Sequence, residues 1–255
     1  MKVAILNDTH CGVRNSSDIF LKYQEKFYEE IFFPYLKEHN IKHILHLGDY
    51  YEHRKFVNFK ALNANRKHFL EPMRDYGITM DIIPVNHDVY FKNTNELCSL
   101  KELLGYFTSN VNIIMKPTVL DYEGCKVAVV PWINNGNYQQ YTDWVMKCEA
   151  DILGAHLELK GFDMMAGVPN PHGMNADIDL IIQKGFVQLF GEHSFAANFR
   201  EQTILDPVSR RCDDNNLNGA LLPQQRMCFL QRIHDRAGLG EGQRAAAGTY
   251  SEGTN

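Results

Sequence analysis

The sequence predicts an α/β fold for most of this chain. Its 255 residues are 44% hydrophobic with ordinary charge content, enough for one sizeable core in a globular protein. Short apolar runs alternate with amphipathic stretches through the first 190 residues, a pattern typical of parallel strands joined by crossover helices. Polar motifs end the first three apolar runs. Because α/β proteins place their sites at the carboxyl ends of parallel strands, these motifs indicate a functional site.

Apolar runs of four to eight residues predict the strands of the sheet. An Asp-Tyr-Glu-Gly sequence at residues 121–124 predicts a hairpin turn between two of these runs. The predicted strands are residues 3–6, 43–47, 79–85, 111–115, 125–132, 151–155 and 186–190.

Polar side chains suited to an N-terminal cap precede the first predicted helix: Ser16, Ser17 and Asp18. The apolar residues of this helix recur at three- and four-residue spacing, and we expect them to face the core: Phe20, Tyr23, Phe27 and Ile31. We expect Pro34 to kink or end the helix, because proline lacks the backbone N–H that an interior position needs. A second helix is expected to begin near Phe59.

Composition excludes several classes of protein. No run approaches the roughly eighteen apolar residues of a membrane span, and the first residues lack the pattern of a signal peptide, so we expect a cytoplasmic protein without membrane attachment. Six cysteines without a Cys-x-x-Cys pair argue against a thiolate zinc site and a disulfide framework. The net charge of -5 means that any binding of nucleic acid would depend on a local basic surface. The chain has no P-loop sequence for ATP hydrolysis.

Three motifs carry candidate metal ligands: Asp8-Thr9-His10, Gly48-Asp49 and Asn86-His87-Asp88. Each motif alone also has a purely structural interpretation, as a capped loop histidine, an ordinary turn or a polar loop. Together they bring carboxylate, imidazole and amide groups to one edge of a sheet. Mixed oxygen and nitrogen donors suit manganese, iron or zinc better than calcium or magnesium alone, so the set predicts a site for two divalent metals.

The order and residue types of these motifs resemble the calcineurin-like metallophosphoesterases. The similarity is greatest to the SbcD-type DNA repair nucleases, especially the recombination endonuclease subunits of tailed phages. The resemblance covers residues 1–191 and implies a metallophosphoesterase domain, built as a β-sandwich flanked by helices. Further similarity to the phage nucleases lies at Pro131-Trp132 and in the sequence Glu-Leu-Lys-Gly-Phe at residues 158–162.

The resemblance implies a role for each candidate residue. Asp8 and His10 would hold one metal ion, while Asn86 and His156 would hold the second. Asp49 would bridge the two ions, which are Mn²⁺ by analogy with the family. His87 would protonate the leaving oxygen or steady the phosphate. Glu52 is a candidate partner of the metal ligands. Three histidines could also approach the metals, although a lone histidine is more often structural: His46, His53 and His172.

Two departures from the family pattern change what can be carried over. Val85 stands where the family has a glycine before Asn-His-Asp, although every ligand of that motif is kept. The last family motif, Gly-His-x-His, should supply two histidines, but this chain has Gly-Glu-His-Ser at residues 191–194. His193 falls between the two expected positions and is a candidate metal ligand. Activity impaired by the missing pair is therefore one expectation.

The resemblance also implies a substrate and partners. The chain would cut DNA in recombination and repair. Its partners would be a separate SbcC-type, SMC-like ATPase subunit and a second copy of the chain in a homodimer. If a phage encodes the chain, it would act in the host cytoplasm. Basic residues four to six positions beyond the ligand motifs are candidates for phosphate contacts: Arg14, Arg54, Lys55 and Lys92. Two alternatives stay open, a phosphomonoesterase of the same fold and a catalytically impaired, nuclease-like scaffold.

Composition changes abruptly after residue 191. Before it the chain has fifteen lysines and four arginines, whereas residues 192–255 have seven arginines and no lysine. The segment lacks sustained periodicity and ends in a stretch rich in Gly, Ala, Ser and Thr that resembles disordered sequence. It is an unmatched C-terminal segment, so we expect the C-terminal part of the fold to be atypical or incomplete. It is either a variable accessory segment, the product of a lost coding frame or, at its extreme end, tag residues; we favour the lost frame.

Overall fold

The computed structural model describes residues 1–107, 109–157, 163–165, 168–169, 187–190 and 227–231. The strands are β1 (Lys2–Leu6), β2 (His43–His46), β3 (Thr79–Ile82), β4 (Val111–Ile113), β5 (Thr118–Tyr122), β6 (Cys125–Val130), β7 (Ile152–Ala155), β8 (Asp163–Met165), β9 (Val168–Pro169), β10 (Val187–Phe190) and β11 (Met227–Gln231). Helix α1 runs from Asp18–Lys26 through a π-helical turn, Phe27–Phe32, into Phe33–Glu38. Helix α2 likewise joins Phe59–Asn65, a π-helical turn at Arg66–Leu70, and Glu71–Asp75. Helix α3 is Ser99–Leu104, followed by a 3-10 turn at Gly105–Phe107, and α4 is Tyr138–Lys147.

Two sheets form the framework. The first has the order β11-β1-β2-β3-β4, and its four strands from β1 to β4 are parallel. The second has the order β10-β7-β6-β5, with β5 antiparallel to β6. Strands β8 and β9 make a separate small hairpin. The predicted parallel pairing of the first three strands is confirmed.

Alternation along the strands assigns each face of a sheet to a different layer. Val3, Ile5 and Leu45 on the first sheet pack against Val127 and Val129 on the second, so the two sheets form a sandwich. The intervening residues of β1 and β2 pack on the other face against α1, α2 and α3. The outer face of the second sheet packs against α4. The predicted α/β fold, a β-sandwich flanked by helices, is confirmed.

Three local expectations need correction. Of the two outcomes expected at Pro34, an end of the helix is wrong, because a π-helical turn just before it widens the helix and the chain continues to Glu38. Ser17 occupies the N-cap position of α1, but its side chain makes no capping hydrogen bond. The hairpin turn is real, yet its first arm is β5, which the sequence did not predict; β4 belongs to the first sheet. Pro117 separates these two strands.

Part of the segment after residue 191 belongs to the first sheet. Strand β11 pairs with β1 in antiparallel register, Lys2 opposite Gln231 and Leu6 opposite Met227, so it covers one edge of that sheet. Within the part of the chain that the structure describes, none of the helices has the length and apolar character to cross a membrane.

Candidate metal centre

The loops that follow β1 and β2 bring the first ligands together. Asp8, His10 and Asp49 all have left-handed backbone angles, with φ of 52°, 40° and 51°. Residues other than glycine seldom adopt such angles, and they concentrate at functional sites. The two loops are bonded to each other, as the Asp8 N–H donates to the Gly48 carbonyl at 3.1 Å and the His10 N–H to the Asp49 carbonyl at 2.9 Å. The left-handed angles therefore turn all three side chains toward one place.

Asp88 holds the third motif against the second. Its carboxylate accepts hydrogen bonds from the backbone N–H groups of Asp49 and Val85 at 3.0 and 3.1 Å, and from Tyr50 and Tyr51 at 3.0 and 3.4 Å. Burial and the nearby Asp49 carboxylate raise the pKa of Asp88 to about 7, although the N–H donors oppose this shift. Asp88 is thus a positioning residue, and the sequence had marked it only as part of the motif.

His10 lies between three carboxylates. Its Nε2 is 3.8 Å from Asp8 Oδ1 and 3.6 Å from Asp49 Oδ2, while its Nδ1 is 2.9 Å from Glu52 Oε2. Burial opposes protonation of the ring, but the Glu52 hydrogen bond and the charges of Asp49 and Asp8 outweigh it and raise the pKa of His10 to about 9. Ligand atoms of Asp8, His10 and Asp49 lie within 4.8 Å of one another, a group that could hold a metal ion.

Asp49 lies between two histidines, one from each sheet. Its Oδ2 is 3.6 Å from the Nε2 of His10 and 3.6 Å from the Nε2 of His156, which follows β7 of the second sheet. Burial opposes ionisation of Asp49, yet the neighbouring His156, His87 and His10 lower its pKa. One carboxylate oxygen is therefore placed where it could be shared between two cations.

Two buried oxygen atoms indicate that the donor set fits divalent cations. Asp49 Oδ2 and Asn86 Oδ1 are buried atoms, and neither has a hydrogen-bond partner among the described residues. Buried polar oxygens normally accept a hydrogen bond, and a buried oxygen without one costs about 1–3 kcal/mol of folding free energy. A cation would satisfy both atoms. The position of Asn86 follows from its neighbour, since the His87 N–H donates to the other Asp49 oxygen at 3.2 Å.

His87 is oriented by the loop that carries Glu52. Its Nδ1 lies 2.6 Å from the Glu52 carbonyl oxygen. A carbonyl can only accept, so Nδ1 carries the proton and donates it, which leaves Nε2 for a substrate. The His87 ring stands edge-on to that of His10, with 5.0 Å between the ring centroids. This geometry suits the role predicted for His87.

The surroundings of His46 and His53 indicate what these two histidines do in the fold. His46 is fully buried; its Nδ1 accepts from the Gly48 N–H at 3.1 Å, and its Nε2 is 3.2 Å from Thr9 Oγ1. Burial lowers the pKa of His46 to about 3, so it is a neutral structural residue rather than a ligand. The ring of His53 stacks on Phe56 with 4.5 Å between centroids. His172 and His193 lie outside the described residues.

The candidate phosphate contacts differ in their environments. Arg14, Lys55 and Lys92 are exposed, whereas Arg54 is half-buried. The guanidinium carbon of Arg54 lies 4.8 Å from the centroid of the Trp132 ring. Arg14 lies in the short turn Val13–Ser16, away from the loop that holds Arg54 and Lys55 along the chain. Contact with DNA stays a prediction for all four.

Comparison with known proteins gives a relative from a bacteriophage. The chain is 28% identical over 200 residues to exonuclease subunit 1 of Enterobacteria phage T4, which covers 78% of this chain. The chain spans 58% of the length of that relative. A solved structure, described as a novel archaeal phosphodiesterase, matches with a TM-score of 0.36 and 16% identity over 76% of this chain and 84% of the other. Comparison with descriptions of known protein families finds no match. The chain is similar to a phage exonuclease subunit, as its motifs indicated.

Proposed function

We propose that this chain is a metal-dependent nuclease that hydrolyses phosphodiester bonds in DNA. The observation that carries the proposal is the buried oxygen of Asp49, held 3.6 Å from one histidine of each sheet and without a hydrogen bond among the described residues. Two divalent cations, Mn²⁺ by preference, would be held by five ligands: Asp8, His10, Asp49, Asn86 and His156.

Each described side chain has a distinct task in this chemistry. Bound divalent cations would supply a hydroxide nucleophile at neutral pH and neutralise charge on the phosphate. Glu52 orients His10 through Nδ1, so that Nε2 faces Asp8 and Asp49. As an imidazolium ring, His87 would keep its Nδ1 proton on the Glu52 carbonyl and deliver its Nε2 proton to the leaving oxygen of the nucleotide, which leaves the ring neutral.

The name of the phage relative, an exonuclease subunit, supports a nucleic acid as the substrate class and an assembly of more than one subunit. We infer a separate SMC-like ATPase subunit as partner, a homodimer of this chain and action in DNA recombination and repair within the cytoplasm of the host. Residues 1–191 would form the nuclease domain, with residues 192–255 as a segment outside the part that the family resemblance covers.

Hydrolysis assays with Mn²⁺ test the proposal. The full chain should release nucleotides or fragments from DNA, and Asp49→Asn should lower this activity by about a hundredfold or more, because it removes the shared charge. Asp75→Asn, which changes an exposed aspartate paired with Arg74, is the matched control and should act like the wild type. Hydrolysis of a phosphomonoester but not of DNA would show the alternative phosphatase, and no hydrolysis of either would show an inactive scaffold.

A further inference from the structure

The geometry points to a docking surface for the unpaired bases of single-stranded DNA beside the metal centre. The rim surface, as we name it, consists of Arg54, Lys55, Tyr90, Phe91 and Lys92. It deepens the proposed function and rests on it, because it states which form of DNA the centre would receive. The surface combines three cations with two exposed aromatic rings on two adjoining loops.

Contacts between the two loops join four of these residues into one surface, and Lys92 follows Phe91 directly along the chain. Arg54 Nη1 donates to the Phe91 carbonyl at 3.5 Å, and Lys55 Nζ lies 5.6 Å from the centroid of the Tyr90 ring. The Tyr90 and Phe91 rings stand at 73° to each other with 4.9 Å between centroids. Tyr90 is 38% exposed and Phe91 46% exposed. Large apolar rings left open to water beside cations indicate a binding surface rather than part of the core.

The same loops carry catalytic and positioning residues. Glu52 bonds to His10 and, through its carbonyl, to His87. Arg54 and Lys55 follow Glu52 by two and three residues, while Tyr90 and Phe91 follow His87 by three and four. The loop at Tyr90 is also fixed, because the Tyr90 N–H donates to the Leu97 carbonyl at 2.9 Å. A strand bound on the rim surface would therefore lie next to the group that acts on its backbone.

The chemistry favours unpaired bases over a duplex. Aromatic side chains stack on the faces of bases, and those faces are open in a single strand but covered by neighbouring pairs in a duplex. Lysine and arginine beside the rings match the phosphates that link stacked bases. The whole chain carries a net charge of -5, so a local basic surface is needed to hold the acidic strand. Frayed or single-stranded ends of DNA thus fit this surface better than its intact interior.

Binding measured without metal separates this inference from catalysis. The full chain is titrated in EDTA into a fluorescent oligothymidine and into a blunt duplex of the same length, followed by anisotropy. Replacing both rings, Tyr90→Ala with Phe91→Ala, should weaken oligothymidine binding roughly tenfold to hundredfold, while duplex binding changes less than about twofold. Phe59→Ala removes another exposed ring, 85% exposed at the start of α2, and should leave binding unchanged.

Charge variants provide a second readout. Lys55→Gln with Lys92→Gln should reduce the slope of log affinity against log salt for oligothymidine by about 0.7 per lysine. The inference is wrong if the double aromatic variant binds oligothymidine as tightly as the wild type, if it loses duplex binding equally, or if the wild type shows no preference for the single strand. Failure of the proposed function is seen separately, as absence of DNA hydrolysis by the wild type with Mn²⁺ present.

Discussion

At the scale of single residues, the centre depends on a few backbone positions that most side chains avoid. Asp8, His10 and Asp49 have positive φ, and such conformations cost on the order of 1–3 kcal/mol each. Hydrogen bonds between the two loops and to the Asp88 carboxylate offset this strain. The candidate ligands would thereby be directed before any ion binds, which would reduce the reorganisation that binding requires.

Gly48 is a position where alanine should be costly. An added Cβ would lie 2.4 and 2.6 Å from the two methyl groups of Val85, at a φ of +93°. We expect Gly48→Ala to lower the free energy of unfolding by about 2–5 kcal/mol, from overpacking together with backbone strain. Gly124→Ala is the matched control, since Gly124 has a φ of +90° with nothing within 4 Å of the added carbon, and it should show the strain alone. Urea unfolding measures both. Equal losses would mean that Val85 moves aside.

The raised pKa of His10 predicts pH-dependent metal binding. Because that pKa is about 9, the ring is protonated at neutral pH and must release a proton to act as a ligand. Affinity for Mn²⁺ should therefore rise with pH up to about 9, by as much as roughly tenfold per pH unit, and fall in acid. Calorimetry at several pH values, in buffers of different ionisation enthalpy, measures affinity and proton release together. Glu52→Gln removes a cause of the raised pKa of His10, so the rise in affinity should level off at a lower pH. Affinity independent of pH between 6.5 and 9 would refute the prediction.

At the scale of elements, both long helices accommodate an internal proline in the same way. Each contains a proline just after a π-helical turn, Pro34 in α1 and Pro72 in α2. Phe33 N–H bonds to the Tyr28 carbonyl and Glu71 N–H to the Arg66 carbonyl, each five residues back. The wider turn moves backbone carbonyls away from the proline ring, which would clash in a regular α-helix. Both helices therefore continue far enough to cover the first sheet.

Strand β11 protects an element that the candidate metal centre would require. It pairs with the outer edge of β1, the strand that leads into Asp8 and His10. A chain ending at Gln231 should be as stable as the full chain, whereas a chain ending at residue 226 should lose on the order of 2–5 kcal/mol and aggregate through the exposed edge. Urea unfolding and light scattering compare the two. Equal stability would mean that residues 227–255 contribute nothing to the folded core, in line with a lost coding frame.

At the scale of the whole molecule, the sandwich joins two half-sites. The first sheet supplies Asp8, His10 and Asp49, and the second supplies His156. The sheets approach closely there, because a Cβ on Gly154 would lie 3.2 Å from Leu47 of the facing sheet. Metal binding should therefore also link the two layers and stabilise the whole fold.

The missing Gly-His-x-His pair predicts a weakened enzyme. We expect the chain to bind Mn²⁺ weakly and cut DNA slowly, since protein ligands lost from a metal site lower affinity and leave the ions less fixed. Restoring the family motif, Glu192→His with Ser194→His, should raise Mn²⁺ affinity by about tenfold to hundredfold. Calorimetric titration is the measurement, and Glu192→Gln with Ser194→Ala is the control. Tight binding of two ions by the unaltered chain would mean that His193 or another residue fills the gap.

The sequence alone determined the parallel strands and the places where candidate ligands follow them. Apolar runs such as residues 3–6 become buried strands of a sheet. Because these strands run parallel, Asp8 and Asp49 at their carboxyl ends lie at one edge of the sheet. Only the tertiary structure decided the roles of Asp88, Glu52 and His46, and the approach of His156 from the second sheet. Asp88 and Asp49 are 39 residues apart along the chain, and no local sequence pattern predicts which N–H groups will donate to the Asp88 carboxylate. Such partners are set by how the loops and sheets pack, because burial removes water and makes every polar atom find its partner inside the fold.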